Sequence, residues 1–284
     1  MKLIMKSYKK ISIIKLTSTI SLLLVSSFIA FAQNGQRVPS VQQISLRAPA
    51  DIKIDGDVSE WNNQFQAFNR ATNLFYTIAN DDENLYLVVK ATAPRIIEKI
   101  LDVGITLTVN NTGKKSYDAK ENIAITYPRI KWSYVYNILR KTGNKSHWIG
   151  HNPRISDDVL TRTDSTVSLA NKTFSEQAKS IKVDGISGIA DTAISVYNEQ
   201  GINVAAIFAN NGIFIYELAV PLKYLRLSIS KPEKFYYSIK LADWDHPLAD
   251  SYSSLEGGHI TMLEADPDLN STTDFWGEYT LAKK

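Results

Sequence analysis

Cysteine is absent from all 284 residues, and that absence closes several routes at once. No disulfide can staple the fold, and no thiolate can serve as nucleophile or metal ligand. The bacterial lipoprotein route, which needs a cysteine just after the cleavage point, is shut as well. Histidine is scarce, at four, and shows no H-E-x-x-H and no paired metal spacing. No G-x-S-x-G elbow occurs, since Gly185-Ile186-Ser187-Gly188 has the wrong spacing. Rossmann and P-loop glycine patterns are missing, and so is the basic stripe with interleaved aromatics that nucleic acid requires. The chain carries no recognisable active site and reads as a non-enzyme.

What is present begins with an export leader. Lys2, Lys6, Lys9, Lys10 and Lys15 form a basic start, an apolar stretch follows, and Ala30-Phe31-Ala32 fits the small-x-small cleavage pattern before Gln33. From Leu16 to the cleavage point at Ala32 the uncharged stretch spans about 17 residues, near the lower limit of the ~20 a membrane span needs. Residues 1–32 are therefore expected to be a signal peptide, with no membrane span after cleavage and a periplasmic or extracellular destination. The alternative is an uncleaved N-terminal anchor. The whole chain holds 32 basic and 29 acidic residues; without the five leader lysines, 27 face 29, so the pI of 8.8 reports the leader.

Past a polar tail (33–50), the text reads as short strands with Asn/Gly turns over a single domain, 51–284. Asp51–Asp55, Asn73–Ala79, Asn84–Ala91, Gly104–Asn110, Thr192–Tyr197, Ile202–Phe208, Ile213–Val220, Phe235–Trp244 and Phe275–Leu281 are the expected strands. Asn80-Asp81-Asp82-Glu83 and Asn210-Asn211-Gly212 are hairpin turns. Pro94–Leu101 and Pro221–Leu227 are expected short helices, the first with proline at its start, where the missing N–H does no harm. Residues 130–175 lack periodicity and read as a loop-rich insertion. The pattern is that of an all-β antiparallel β-sandwich.

Several segments then line up in order: Ile54-Asp55-Gly56 with Glu60-Trp61, Asp81-Asp82 with Leu85-Tyr86-Leu87, and Tyr216-Glu217-Leu218-Ala219-Val220-Pro221-Leu222. The set resembles the family 9 carbohydrate-binding modules and their DOMON-like relatives, and it also resembles a subgroup of exported proteins of the Bacteroidetes type. The resemblance implies a sandwich of two antiparallel sheets, in which sugar-binding members clamp a glycan end between two tryptophans and hold structural calcium. The clamp tryptophans do not fall inside the matched motifs. Within the first motif, Asp55-Gly56-Asp57 turns the chain, Asp57 or Ser59 caps a short helical turn, and Trp61 buries against the sheet. Alternatively, Asp55, Asp57 and Glu60 help to hold a cation.

Other residues carry candidate chemistry. Aromatic faces stack on sugar rings, so Trp148 and Trp244, with Asp243, Asp245 and His246 as hydrogen-bonding neighbours, form the candidate carbohydrate site, while Trp61 and Trp276 read as core. Oxygen donors alternate along Asp266, Asp268, Asn270, Thr272 and Asp274, the pattern a structural calcium needs; the alternative is a solvated acidic turn. No other cofactor is required. Asp243, Asp245, Asp250, Glu256 and Glu264 are too common in kind to mark a glycosidase pair. A haem held by Met262 with His246 or His259 is the minor alternative. The reading that follows is a non-catalytic exported carbohydrate- or glycan-binding protein. Its rival is an envelope interaction protein, binding an unidentified envelope protein, that keeps the sandwich without a sugar site.

Overall fold

The computed structural model describes residues 38–113, 115–117, 120–131, 134–135, 138, 164–209, 212–243, 252–256, 259–263 and 271–284; at 164–166, 252–256 and 259–263 the backbone alone is described. Period-two alternation of large apolar residues builds two antiparallel sheets from these segments. The five-stranded sheet runs β1 (Ala67–Asn69), β2 (Leu74–Asn80), β3 (Asn84–Ala91), β9 (Phe214–Pro221), β8 (Asn203–Phe208). The six-stranded sheet runs β13 (Thr273–Thr280), β10 (Lys234–Leu241), β4 (Ile105–Asn110), β5 (Ile123–Tyr127), β6 (Ser180–Asp184), β7 (Ala193–Ser195). A separate hairpin joins β11 (Tyr252–Glu256) to β12 (His259–Leu263). The expected antiparallel sandwich is what forms.

The main core lies between the sheets. Leu85, Leu87 and Val89 of β3 and Phe214, Tyr216 and Leu218 of β9 face Leu107, Ile125, Tyr237 and Ile239 of the other sheet, all essentially inaccessible. Burying each such side chain is worth about 1.5–3 kcal/mol. Two helices add to this core. In α1 (Pro94–Val103) proline occupies the first turn, and Ile96, Ile97, Ile100 and Leu101 recur at helical spacing on the buried face. In α2 (Asp164–Gln177), Ala170 and Phe174 face inward, and the Phe174 ring meets Phe208, Phe214 and Tyr127 edge-on. The Asn171 side chain accepts from the Phe208 N–H at 2.7 Å and donates to its C=O at 2.9 Å, so an amide stands in for a neighbouring strand at the edge of β8.

Three local differences from the sequence reading have plain causes. Asp51–Asp55 is not a strand; Ile52 and Ile54 instead lie over the outer face of the five-stranded sheet. Leu222–Arg226 makes turns rather than a helix, because Tyr224 and Leu225 N–H groups bond three residues back and Arg226 enters the left-handed region at φ 56°. The 14-residue α2 starts inside the stretch assigned to loop and ends at Gln177, just past it; its Ser, Thr and Asn content hides a helix that tertiary packing holds.

The outer face of the five-stranded sheet is covered by a third layer. Val58, Trp61 and Phe65 pack on Ala79, Tyr86, Val88, Ile215 and Ala219, which explains why β9 reads apolar on both of its faces. A charged side chain, Glu217, sits in that layer, fully buried on the outward side of β9. Its carboxylate accepts from the Gly56 N–H at 2.8 Å, the Asp55 N–H at 3.2 Å and the Trp61 indole Nε1 at 3.2 Å. Gly56 holds φ 90° and lies too close to Ile207 to admit a Cβ. Asp57 Oδ1 accepts from the Ser59 N–H at 2.9 Å, ahead of the single 3-10 turn Ser59–Trp61. The Asp-Gly-Asp turn and the Glu-Trp pair thus present donors to a glutamate in the middle of a distant strand.

Residues 39–48, within the stretch assigned to the tail, are tied to the same compact unit, which runs Pro39–Lys284. The Gln42 side chain bonds both the N–H and C=O of Ile78, at 2.8 and 2.7 Å. Arg47 bridges Asn80 in parallel.

Candidate functional site

The two outward faces of the sandwich differ in kind. One is apolar and roofed by the Val58–Phe65 layer. The other, on the six-stranded sheet, carries Thr106, Thr108 and Asn110 on β4, Tyr236, Ser238 and Lys240 on β10, and Asp274, Trp276 and Glu278 on β13. Register fixes the neighbours: Tyr236 stands opposite Glu278, Ser238 opposite Trp276, and Lys240 opposite Asp274. Thr106, Thr108, Asn110 and Ser238 are buried, and the solvent-reaching groups lie along β10 and β13, at Tyr236, Lys240, Asp274, Trp276 and Glu278.

Tyr117 organises that face. It sits in the loop between β4 and β5, 39% exposed, and its ring lies 5.0 Å from that of Trp276 at 46°. Its hydroxyl donates to Asp274 Oδ2 and shares a 2.6 Å hydrogen bond with Ser238 Oγ. Burial, and then the Asp274 carboxylate, push the Tyr117 hydroxyl well above the ordinary phenol range, so it remains a donor. The loop is fixed from beneath. Asn122 Nδ2 donates to the carbonyls of Ser116 and Tyr117, at 2.8 and 3.1 Å, while its Oδ1 accepts from buried Asn110 at 2.8 Å.

The charges around the aromatic pair are unevenly matched. Glu278 bridges Lys234 at 3.0 Å and Lys115 at 3.3 Å, and the lysines, Lys234 first, hold its carboxyl below the usual range. Lys115 also lies 5.0 Å from the centre of the Tyr236 ring. Lys240 lies 5.0 Å from the centre of the Tyr117 ring and, among the described residues, pairs with no carboxylate. Asp274, its cross-strand neighbour, is instead engaged by Tyr117.

Trp276 is therefore not core, as its strand-like setting had suggested. It is part-exposed on the outward face, because the buried positions of β13 are its alternate residues, Gly277 and Tyr279 among them. Trp61 is buried as expected. Trp132, Trp148, Trp244, Asp245, His246, Asp250, Glu264, Asp266, Asp268 and Asn270 lie outside the described residues, as do the side chains of Glu256, His259 and Met262. Asp243 is exposed at the end of β10, where its Oδ1 accepts from Thr272 Oγ1 at 3.0 Å. Asp274 points at Tyr117. No cluster of three or more His, Asp or Glu side chains suited to a metal occurs among the described residues. Nothing in the sequence marked Tyr117, a single tyrosine in a turn, and its ring partner Trp276 needed the strand's facing to be known.

No family model and no curated protein matches the chain. Among solved structures, a family 9 carbohydrate-binding module from Caldicellulosiruptor kristjanssonii, in complex with glucose, aligns with 85% of this chain and 96% of its own, at 10% identity and a TM-score of 0.37. The described residues contain no helix long and apolar enough to cross a membrane.

Proposed function

We propose that the protein is a non-catalytic, exported carbohydrate-binding sandwich, and that the Tyr117–Trp276 face is its binding surface. The observation that carries the reading is the part-exposed Tyr117–Trp276 aromatic pair on the outward face of β13, with Asp274 beside it. Saccharides present apolar C–H faces and a rim of hydroxyls. A part-exposed indole supplies the surface for the first, and the Asp274 carboxylate and exposed Glu278 on the same strand supply acceptors for the second. The ordered motifs joined through Glu217 support the same reading, because they build the layer that closes the opposite face and leaves this one as the polar side.

The test is calorimetric titration of the purified protein with a panel of neutral and acidic oligosaccharides, read alongside tryptophan fluorescence. Binding that disappears in Trp276→Ala, with the melting temperature within a few degrees of the parent, supports the reading. Binding that survives Trp276→Ala moves the site elsewhere. No binding by the parent protein to any member of the panel leaves the sandwich as an interaction scaffold and rejects the carbohydrate reading.

A further inference from the structure

We infer that the Tyr117–Trp276 face selects an acidic saccharide, with the Lys240 ammonium holding the sugar carboxylate. This rests on the carbohydrate reading of that face and adds the class of sugar. Among the described residues, Lys115, Lys234, Lys240, Asp274 and Glu278 are the charged side chains tied to this face by strand register, ion pair, hydrogen bond or ring contact. Glu278 takes both Lys115 and Lys234, at 3.3 and 3.0 Å. Asp274 accepts from the Tyr117 hydroxyl, which also reaches Ser238. Of these, the one without an ion-pair or hydrogen-bond partner is positive: Lys240, which lies over the Tyr117 ring, 5.0 Å from its centre.

Position makes that charge selective. Lys240 is opposite Asp274 in the strand register, and Asp274 is two residues from Trp276 on the same outward face of β13. A sugar ring laid on the indole therefore has an ammonium near its rim and no unengaged carboxylate of a described residue beside it. A neutral sugar leaves that ammonium to water. A uronate brings the opposite charge to it, and the ring of Tyr117 keeps the lysine near the platform through its π face. Part-exposed ion pairs contribute modestly, so the preference should be real but small.

The experiment titrates the purified protein with oligomers of galacturonate, glucuronate and mannuronate and with the methyl ester of each, which keeps the backbone and removes the charge. At least one free acid should bind roughly fivefold more tightly than its ester, the scale of one part-exposed ion pair, and the difference should shrink as salt is raised. Lys240→Gln should bring acid and ester together while leaving ester affinity within twofold. Lys234→Gln, whose partner is Glu278, should keep the preference, which guards against a general loss of positive charge. Lys240→Arg, checked by its melting temperature, should restore most of it. Equal binding of every acid and ester by the parent protein overturns the inference and leaves the carbohydrate reading intact. A preference that persists in a folded Lys240→Gln overturns Lys240's role. Failure of acids, esters and neutral sugars alike removes the reading and the inference together.

Discussion

The Trp61 indole donates to the Glu217 carboxylate at 3.2 Å, joining side chains 156 residues apart. With the Gly56 and Asp55 amides, it makes Glu217 the receiving end of a latch. The outer layer from Val58 to Phe65 is thereby held on the five-stranded sheet by a polar contact as well as by packing. Both carboxylate oxygens are used as acceptors, Oε1 by Trp61 and Oε2 by the two amides.

Glu217→Gln should destabilise the protein although it removes a buried acid. One of the two oxygens becomes an NH2 group facing N–H donors, so at least one donor is left without a partner, at a cost of about 1–3 kcal/mol. Urea unfolding should show the lower midpoint with an unchanged slope. A variant as stable as the parent would mean that the carboxylate's hydrogen bonds to these three donors make no net contribution to the fold.

The pH dependence of stability should carry the same residue's signature. Burial pushes the Glu217 carboxyl up to about 7, with Asp55 adding to it, against the pull of the Gly56 and Asp55 amides and the Trp61 indole. A carboxyl whose folded value lies above its unfolded one, near 4.5, binds its proton more tightly when folded. Its stabilisation is therefore complete below about pH 4.5 and is lost as pH rises to about 7. The opposite group is Asp81. Burial would raise its carboxyl, but hydrogen bonds from Tyr86 and from the Asn84 and Glu83 amides outweigh that and hold it low, so its contribution disappears only as pH falls below about 4. The urea midpoint should rise from pH 7 to pH 5. Glu217→Gln should flatten that segment and leave the acid limb unchanged.

The Glu217 latch shows what a sequence can and cannot disclose. Asp55-Gly56, Trp61 and Glu217 all stood in matched motifs, and the burial of Trp61 followed from its setting. That the motifs meet each other did not follow, since 156 residues separate the partners and no local rule pairs them. Strand positions such as Asn84–Ala91 were legible because alternation and turn chemistry are local. Trp276 was misplaced because period two tells which residues share a face but not which face is inside; that is decided by the opposing sheet. Tyr117 and Lys240 meet only after β4, β10 and β13 are set side by side, so their pairing was invisible. In α2, helix propensity was weak and Phe174 found its place through Phe208 and Phe214, contacts that no window around residue 174 contains.

Asn80 should prove one of the costliest polar side chains to remove. It is wholly buried where the N-terminal segment, β2 and the C-terminus converge. Its Nδ2 donates to the carbonyls of Asp81 and Ala282, at 2.8 and 3.1 Å, and its Oδ1 accepts from the Ala282 N–H at 2.8 Å and the Tyr279 hydroxyl at 3.1 Å. Asn80→Ala should lose about 2–4 kcal/mol, since several buried partners are stranded together. Hydrogen exchange at Ala282 should accelerate beyond what the global loss explains, because its amide depends directly on Oδ1. Unchanged exchange there would show that water replaces the side chain at no cost.

Gly277 tests the packing of the opposite sheet. It stands directly across from Tyr237 in the β10–β13 register, and a Cβ at residue 277 would overlap the Tyr237 ring. That ring cannot step aside freely: its hydroxyl meets the Tyr76 hydroxyl at 3.0 Å, and Tyr76 in turn accepts from the Gln42 N–H at 2.9 Å. Gly277→Ala should therefore destabilise by about 1–3 kcal/mol, the range for overpacking a filled core, although alanine normally suits a strand better than glycine. Tyr237→Phe trims only the hydroxyl and leaves most of the clash, so the double variant should recover little. Tyr237→Leu in the Gly277→Ala background should recover more, because it removes the ring atoms the new methyl meets. If the Tyr237→Leu double variant is no more stable than Gly277→Ala alone, the cost lies in the backbone of β13 and not in the ring.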